Sequence, residues 1–327
     1  MTSPSTASSA AEIVRALGVA GGTLPLREAT LGLEGPDLDA ALAALEASGV
    51  LALGPDGLLR FGPRGSALSA ADVTRRLATR ELGRPLEVLA ACESTNDVAQ
   101  ARATAGAAAG LVVCAELQTR GRGRRGRSFD SPPGLGLWTS VLLPSPADPS
   151  TAPRLSLVAG LAACAAIEDV ADVSAALKWP NDVRVGGRKV CGVLVEARSV
   201  GRRLFPVAGI GVNVHHRTED FPAELRETAV SVQEAAGARV ERGVLLATLL
   251  ARLELLLDEE RGGTLDLAAA FAPRDEMRGR EVVVETGGAA LRGMGRGVAA
   301  DGALLIEVPG RGVVPVRAGE TTLRAVA

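Results

Sequence analysis

Apolar positions first fall into a helical rhythm near the start of the chain. Residues 11–19 repeat with a helical period, a second short helix is predicted around 27–31, and 37–48 carries Leu38, Leu42 and Leu45 at spacings of four and three. Pro36 and Gly49 bracket that third segment, matching the preference for proline at the entry of a helix and glycine just past its exit. Two short apolar runs follow, 50–53 and 58–61, joined by Gly54-Pro55-Asp56-Gly57, which signals a hairpin. Three helices and a hairpin over 11–65 predict a winged-helix-like unit. The Ser/Thr/Ala-rich residues 1–10 before it read as a disordered tail.

Beyond residue 66 the periods mix. Strands are predicted at 86–90, 111–116, 135–143, 190–197 and 205–214, and helices at 96–104, 152–170 and 242–260. That order predicts an α/β (α+β) domain over 66–278. From 279 to 327 the pattern changes to short β-rich runs, 282–285, 304–308 and 313–316, separated by turns such as Asp301-Gly302. A small barrel of SH3-like size fits this stretch.

Composition narrows the function. The chain has 327 residues, 47% of them hydrophobic and 23% charged, which is enough apolar matter for two or three folded domains. Aromatics are 2%, with no Tyr, so binding nucleic acid mainly by base stacking is disfavoured. A net charge of −2 argues against a surface that traps polyanions as a whole, so any anion site must be local. Residues 1–65 hold four Arg against seven acids, and the third helix contains Asp37, Asp39 and Glu46 without a basic residue. Pressed into a DNA groove, that helix would meet phosphate with carboxylate. The longest apolar stretch, 155–167, is shorter than the roughly 20 residues a bilayer requires. The start of the chain has neither the basic residues nor the apolar run of a leader. A cytoplasmic protein without a membrane partner is expected. Cys92, Cys114, Cys164 and Cys191 lack zinc or dithiol spacing and read as small buried hydrophobes.

The candidate chemistry is concentrated in three segments. Arg120-Gly121-Arg122-Gly123-Arg124-Arg125-Gly126-Arg127 places five Arg in eight residues with no acid between Glu116 and Asp130. Its G-x-G-x-x-G spacing does not open a helix, because Ser128-Phe129-Asp130-Ser131-Pro132-Pro133 follows, so a dinucleotide fingerprint is rejected on context. Five guanidiniums without local partners predict a loop that stays mobile until an anion neutralises it; a solvated basic loop or an RNA-binding tract is the plainer alternative. Lys178 and Lys189 are the chain's two lysines, and Asn96, Asn181 and Asn213 its three asparagines. Where Arg serves every other cationic position, a retained Lys suggests a need for a compact point charge. Glu93-Ser94-Thr95-Asn96-Asp97 opens a helix; Ser94 with Asp97 reads as a capping box, which is compatible with ligand contact because a helix start presents donors to an incoming polar group. His215 and His216 are adjacent, lack metal-ligand spacing and read as surface or loop residues.

Taken together, Glu93-Ser94-Thr95-Asn96, Gln118 with 121–127, Lys178-Trp179-Pro180-Asn181-Asp182, Lys189 with Gly192, and Gly209-Ile210-Gly211-Val212-Asn213 resemble biotin protein ligases, in the three-domain form of the biotin operon repressor. The motifs span about 90–215, and the flanking units extend the likeness over most of the chain. The resemblance implies a class II synthetase or biotin-lipoate ligase-like mixed sheet. It also implies ATP, Mg²⁺ and biotin as small-molecule partners, a biotin carboxyl carrier domain as acceptor, and a two-step ligation through biotinyl-5′-AMP. By family analogy Ser94, Thr95, Asn96, Gln118, Gly121, Arg122 and Gly192 contact biotin. Arg124 and Lys189 hold its carboxylate against the α-phosphate as the catalytic pair. Arg125, Arg127, Lys178, Asn181 and Asn213 join Arg124 on the nucleotide, and Asp182 is the candidate metal ligand. Two positions depart from the family pattern: Phe129 stands where Trp is common, and Ala229 where relatives place an aromatic. A lipoate or octanoate ligase and a biotin-responsive DNA-binding repressor without turnover are the alternatives, and a homodimer is left open.

Overall fold

The computed structural model describes residues 4–30, 33, 36–145, 152–200, 203–286 and 289–323. Its first part comprises α1 (Pro4–Val19), β1 (Thr23–Pro25), α2 (Leu26–Ala29), α3 (Pro36–Ala47), β2 (Leu51–Leu53) and β3 (Leu58–Phe61). The three strands pair antiparallel in the order β1-β3-β2. Ile13, Val14 and Leu17 of α1 bury against Ala41 and Leu45 of α3 and Leu59 of β3, which is the packing the helical periodicity predicts. One expectation changes. The helix begins at Pro4, so residues 4–10 are not a disordered tail; they extend α1 along the central sheet, where Ala7 and Ala11 pack on Ala90 and Leu117. Ser/Thr/Ala composition hides such a helix because its few apolar contacts are all alanine methyls. Residues 1–3 and Leu31, the predicted end of the second helix, lie outside the described residues, as do 324–327.

After α4 (Ala70–Arg76) comes the central domain: β4 (Leu86–Cys92), α5 (Thr95–Thr104), β5 (Val112–Gln118), β6 (Gly136–Leu142), α6 (Ala152–Ala171), β7 (Ala175–Lys178), β8 (Asp182–Val185), β9 (Arg188–Val200), β10 (Arg203–Asn213), α7 (Val232–Ala236), α8 (Arg242–Gly262) and α9 (Leu267–Phe271). Seven strands form one mixed sheet, β4-β5-β6-β10-β9-β8-β7, in which only the β4–β5 pair is parallel among the described residues. Both faces are covered, which explains why β5 opens on the continuous apolar run Val112-Val113-Cys114-Ala115 rather than an alternating one. Val112 and Cys114 point into the main core with α6 and α8, while Leu111 and Val113 meet Ala99 and Ala103 of α5.

The last part is a five-stranded sheet of β11 (Glu281–Thr286), β12 (Ala289–Val298), β13 (Leu304–Val308), β14 (Gly312–Val316) and β15 (Glu320–Leu323), ordered β14-β13-β12-β11-β15. Val282, Val284, Leu304 and Ile306 share the main core, so this sheet is packed onto the central domain. No helix among the described residues is long and apolar enough to cross a membrane.

Candidate functional site

Alternation along β10 sets the floor of the site. Ala208, Ile210 and Val212 enter the main core, which leaves Gly209 and Gly211 on the opposite face. A Cβ at Gly209 would lie 2.4 Å from Asn96 Oδ1, and one at Gly211 would lie 2.8 Å from Phe129 Cε1. Gly192 of β9 pairs with Gly211 and would crowd Lys189 Nζ and Phe129 at 3.1 Å. Three neighbouring glycines thus open a trough in the sheet, partly filled by Asn96, Phe129 and Lys189.

Two cavities meet above that floor. The smaller, about 30 Å³, is lined by Ser94, Thr95, Asn96, Gln118, Arg122 and Trp138, among others. Gln118 Oε1 accepts from Thr95 N at 2.9 Å and Thr95 Oγ1 at 3.1 Å, while Gln118 Nε2 donates to Ser131 Oγ at 3.0 Å. Ser140 Oγ donates to Asn96 Oδ1 at 2.6 Å, and Asn96 Nδ2 donates to Glu196 at 2.7 Å. The Ser94 side chain makes no cap bond and Asp97 turns to Arg122, so the capping box is not formed at this helix start.

The larger cavity, about 390 Å³, has five cationic side chains on its wall, Arg124, Arg127, Lys178, Arg184 and Lys189, against the carboxylates Asp130 and Asp182. Phe129 and Gly192 line both cavities. Lys189 stands beside this join, its Nζ 2.6 Å from Asp182 Oδ1 and 5.9 Å from the Phe129 ring centre. Burial pushes the Lys178 ammonium below its ordinary value, against the opposing pull of Asp182. Asn181 and Asn213 also line this cavity; Asn181 Nδ2 donates to Val193 O at 2.8 Å.

The Arg/Gly loop does not lack partners. Arg120 pairs with Glu93, and Arg122 bridges Asp97 at 2.5 Å and Glu196 at 2.8 Å, which raises its guanidinium pKa, the Asp97 bond contributing most. Arg124 donates to Asn181 Oδ1 and Gly319 O, and Arg125, at φ 55°, donates to Glu285 O. Those acids and carbonyls come from β4's end, α5, β9 and the C-terminal sheet, so no local window of sequence could supply them. Arg125 and Gly121 line neither cavity, although Gly121 packs against Phe129 O, Ser131 and Gln118.

His215 and His216 are buried rather than on the surface, and both are pushed down to about 3, chiefly by burial, with Arg242 and Arg64 respectively adding to the shift. His215 bonds Gln233 and Ser66; His216 stacks on Phe221 at 4.8 Å and meets the edge of Trp138, which in turn meets Phe129. Sequence reasoning missed Trp138, His216, Phe221, Ser140 and Glu196. The scarcity of aromatics was an available signal, since Phe129, Trp138, Trp179 and Phe221 are four of seven in the chain and all line these cavities. The cysteines are free; Cys114, Cys164 and Cys191 are buried, as expected of small hydrophobes, and Cys92 is partly so.

A family model described as "Biotin/lipoate A/B protein ligase family" matches residues 88–213, which contain the three-glycine floor and both lysines. The biotin--[acetyl-CoA-carboxylase] ligase of Mycobacterium tuberculosis is 36% identical over 72% of this chain and 88% of the relative. The chain belongs to the biotin/lipoate A/B protein ligase family. Within it, the similarity is to biotin ligases. A biotin protein ligase from Aquifex aeolicus, solved in complex with biotin and ATP, superposes with a TM-score of 0.64 at 29% identity, covering 74% of this chain and 99% of that one. The bifunctional ligase/repressor BirA of Bacillus subtilis is 35% identical over 56% of this chain, and the match spans 57% of that relative's length.

Proposed function

We propose that the protein is an ATP-dependent biotin protein ligase. The observation that carries this reading is the join at Phe129 and Gly192, where a small polar pocket, whose Arg122 is paired with Asp97 and Glu196, opens onto a larger cationic one with Lys189 beside it. Biotin has the matching anatomy, a neutral ureido head on a tail that ends in a carboxylate. The head would sit among Ser94, Thr95, Asn96 and Gln118, with Gly121 and Arg122 closing over it and Gly192 beneath. At about 30 Å³ the small pocket is too tight for a bicyclic head, so Phe129 moves off the glycine floor as biotin enters.

The tail then reaches the join, where a carboxylate oxygen attacks the α-phosphorus of ATP. The acyl–O–P bond forms, the α–β P–O bond breaks and pyrophosphate leaves. Carboxylate and phosphate repel at about 4 kcal/mol per charge pair at 4 Å and an effective dielectric of 20. Lys189 and Arg124 offset that repulsion and fix the line of attack. Arg127, Lys178, Asn181 and Asn213 serve the rest of the nucleotide from the wall of the larger cavity, while Arg125, outside it, anchors the loop through Glu285 O. In the second step the amine of a carrier lysine attacks the acyl carbon, AMP leaves and the amine loses a proton. The loop excludes water from the mixed anhydride meanwhile.

Mg²⁺ would arrive with ATP and neutralise phosphate charge. No group of three His, Cys, Asp or Glu side chains suits a metal among the described residues, so the ion fits only as one held mainly by phosphates and water with Asp182 as its protein carboxylate. Residues 11–65 are read as a degenerate winged helix, 66–278 as the catalytic domain and 279–327 as an SH3-like barrel, in a cytoplasmic protein whose acceptor is a biotin carboxyl carrier domain. Biotin-dependent exchange of pyrophosphate into ATP tests the reading. Exchange with lipoate or octanoate alone would overturn the substrate choice, and retention on DNA in moderate salt with no modified carrier would favour a repressor.

A further inference from the structure

The stretch 213–225 supplies Asn213, His216, Phe221, Pro222 and Leu225 to the larger cavity, and what holds it from behind is the N-terminal unit. Arg64, just past β3, is only 3% exposed. Its Nε donates to His215 O at 3.1 Å, one terminal nitrogen donates to Ser48 O at 2.5 Å, and the other meets the Asp220 carboxylate. Asp220 in turn accepts from Arg217 N at 2.7 Å, closing the turn on itself. Ser66 Oγ lies 3.0 Å from His215 Nε2, and Arg239 donates back to Gly62 O and Gly65 O. A second route runs through Leu135, which packs in the N-terminal core while its carbonyl accepts from Val214 N and His215 N.

The opposite face of the unit is spoken for by its own chain. Asp37 and Asp39 occupy the first turn of α3, and the hydroxyls of Ser5 and Thr6 donate to Asp37 at 2.8 and 2.7 Å. The helix start that would have to approach a phosphate backbone is acidic and covered by α1.

We propose that the N-terminal unit is a structural arm of the nucleotide site, with Arg64 the positioning residue through which it sets the 215–221 turn. The inference rests on the reading that the larger cavity takes ATP. Without the guanidinium, the Asp220 carboxylate and the His215 carbonyl lose their shared donor, the turn drifts, and His216 and Phe221 leave the cavity wall. Ser94, at the start of α5, Thr95 and Gln118 lie outside this network, which touches the biotin pocket where His216 meets Trp138, so the polar contacts to biotin are spared.

The test uses the full chain and measures KM for ATP and for biotin in biotin-dependent pyrophosphate exchange, for wild type, Arg64→Met, Arg64→Lys, Asp220→Asn and the Arg64→Met/Asp220→Asn double variant. Arg64→Met is expected to raise KM for ATP by about tenfold while KM for biotin stays within about twofold. Asp220→Asn should shift KM for ATP in the same direction, the double variant should be no worse than Arg64→Met alone, and Arg64→Lys should recover part of the loss. If circular dichroism shows Arg64→Met unfolded, Asp220→Asn carries the same expectation alone. Unchanged KM for ATP in the folded variants, or equal rises for ATP and biotin, overturns the arm. Absence of exchange in wild type overturns the ligase reading itself, and the arm with it.

Discussion

Lys189 has a side chain whose value to catalysis and to folding can be separated. Its pair with Asp182 is partly exposed, 36% and 25%, and such pairs contribute little to stability. Lys189→Ala is therefore expected to lower pyrophosphate-exchange turnover by about 10²–10³-fold while leaving the urea midpoint nearly unchanged. Unaltered turnover would remove Lys189 from the reacting centre. The two histidines contribute in the opposite sense, their titration bearing on stability. Both are held near 3 in the folded protein against 6.5 when exposed, so below pH 6.5 the unfolded chain takes up protons that the folded chain refuses. Their neutral burial stabilises fully above pH 6.5, and the advantage falls by about 1.4 kcal/mol per histidine for each pH unit below it, down to about pH 3. Denaturation midpoints between pH 7.5 and 5 should show this slope, and His216→Met should remove about half of it. Residue scarcity was the legible signal at this scale: both lysines and all three asparagines line the cavities. The histidines were misread because adjacency in sequence carries no information about burial, which Ser66, Gln233 and Phe221 impose from distant segments.

At the scale of elements, β10 solves two problems with one alternation, a core face of Ala208, Ile210 and Val212 and an opposite face opened by Gly209 and Gly211. Gly209→Ala drives a methyl into Asn96 and is expected to raise KM for biotin about tenfold, an overpacking cost of about 1–3 kcal/mol, with KM for ATP little changed. Equal loss for both substrates would mean a distorted sheet instead. The start of α8 is fixed differently, by Arg242 and Glu116, both fully buried and paired at 2.6 and 3.1 Å, with Ser66 O and Gly136 O taking further guanidinium protons. Glu116→Ala should cost about 3–5 kcal/mol in urea unfolding, because it strands a buried cation. The long strands and helices were legible from their periods, including α6, α8 and β5. The four-residue strands β7 and β8 were not, since Trp179-Pro180-Asn181 between them reads as a motif rather than a turn. The loop's anchors were equally hidden, because Glu196 and Gly319 reach it only through sheet order and domain docking.

At the scale of the molecule, a chain of net charge −2 concentrates cations around one cavity and leaves acid on the N-terminal helix that resembles a DNA reader. The three-part organisation was visible in the changing hydrophobic period, whereas the attachment of the first part was not. Alanine methyls of α1, Arg64, Arg239 and Leu135 carry much of that contact, and none of them stands out in composition. The site's central claim is that the small pocket and the cationic cavity act in sequence on one molecule, activating a biotin carboxylate and then giving it away. Incubation of the full chain with biotin, ATP, Mg²⁺ and a biotin carboxyl carrier domain, followed by mass spectrometry of the carrier, tests that claim most directly. The expected carrier is heavier by a single biotinyl group, and only when ATP is present; a carrier of unchanged mass beside folded protein would overturn the ligase reading.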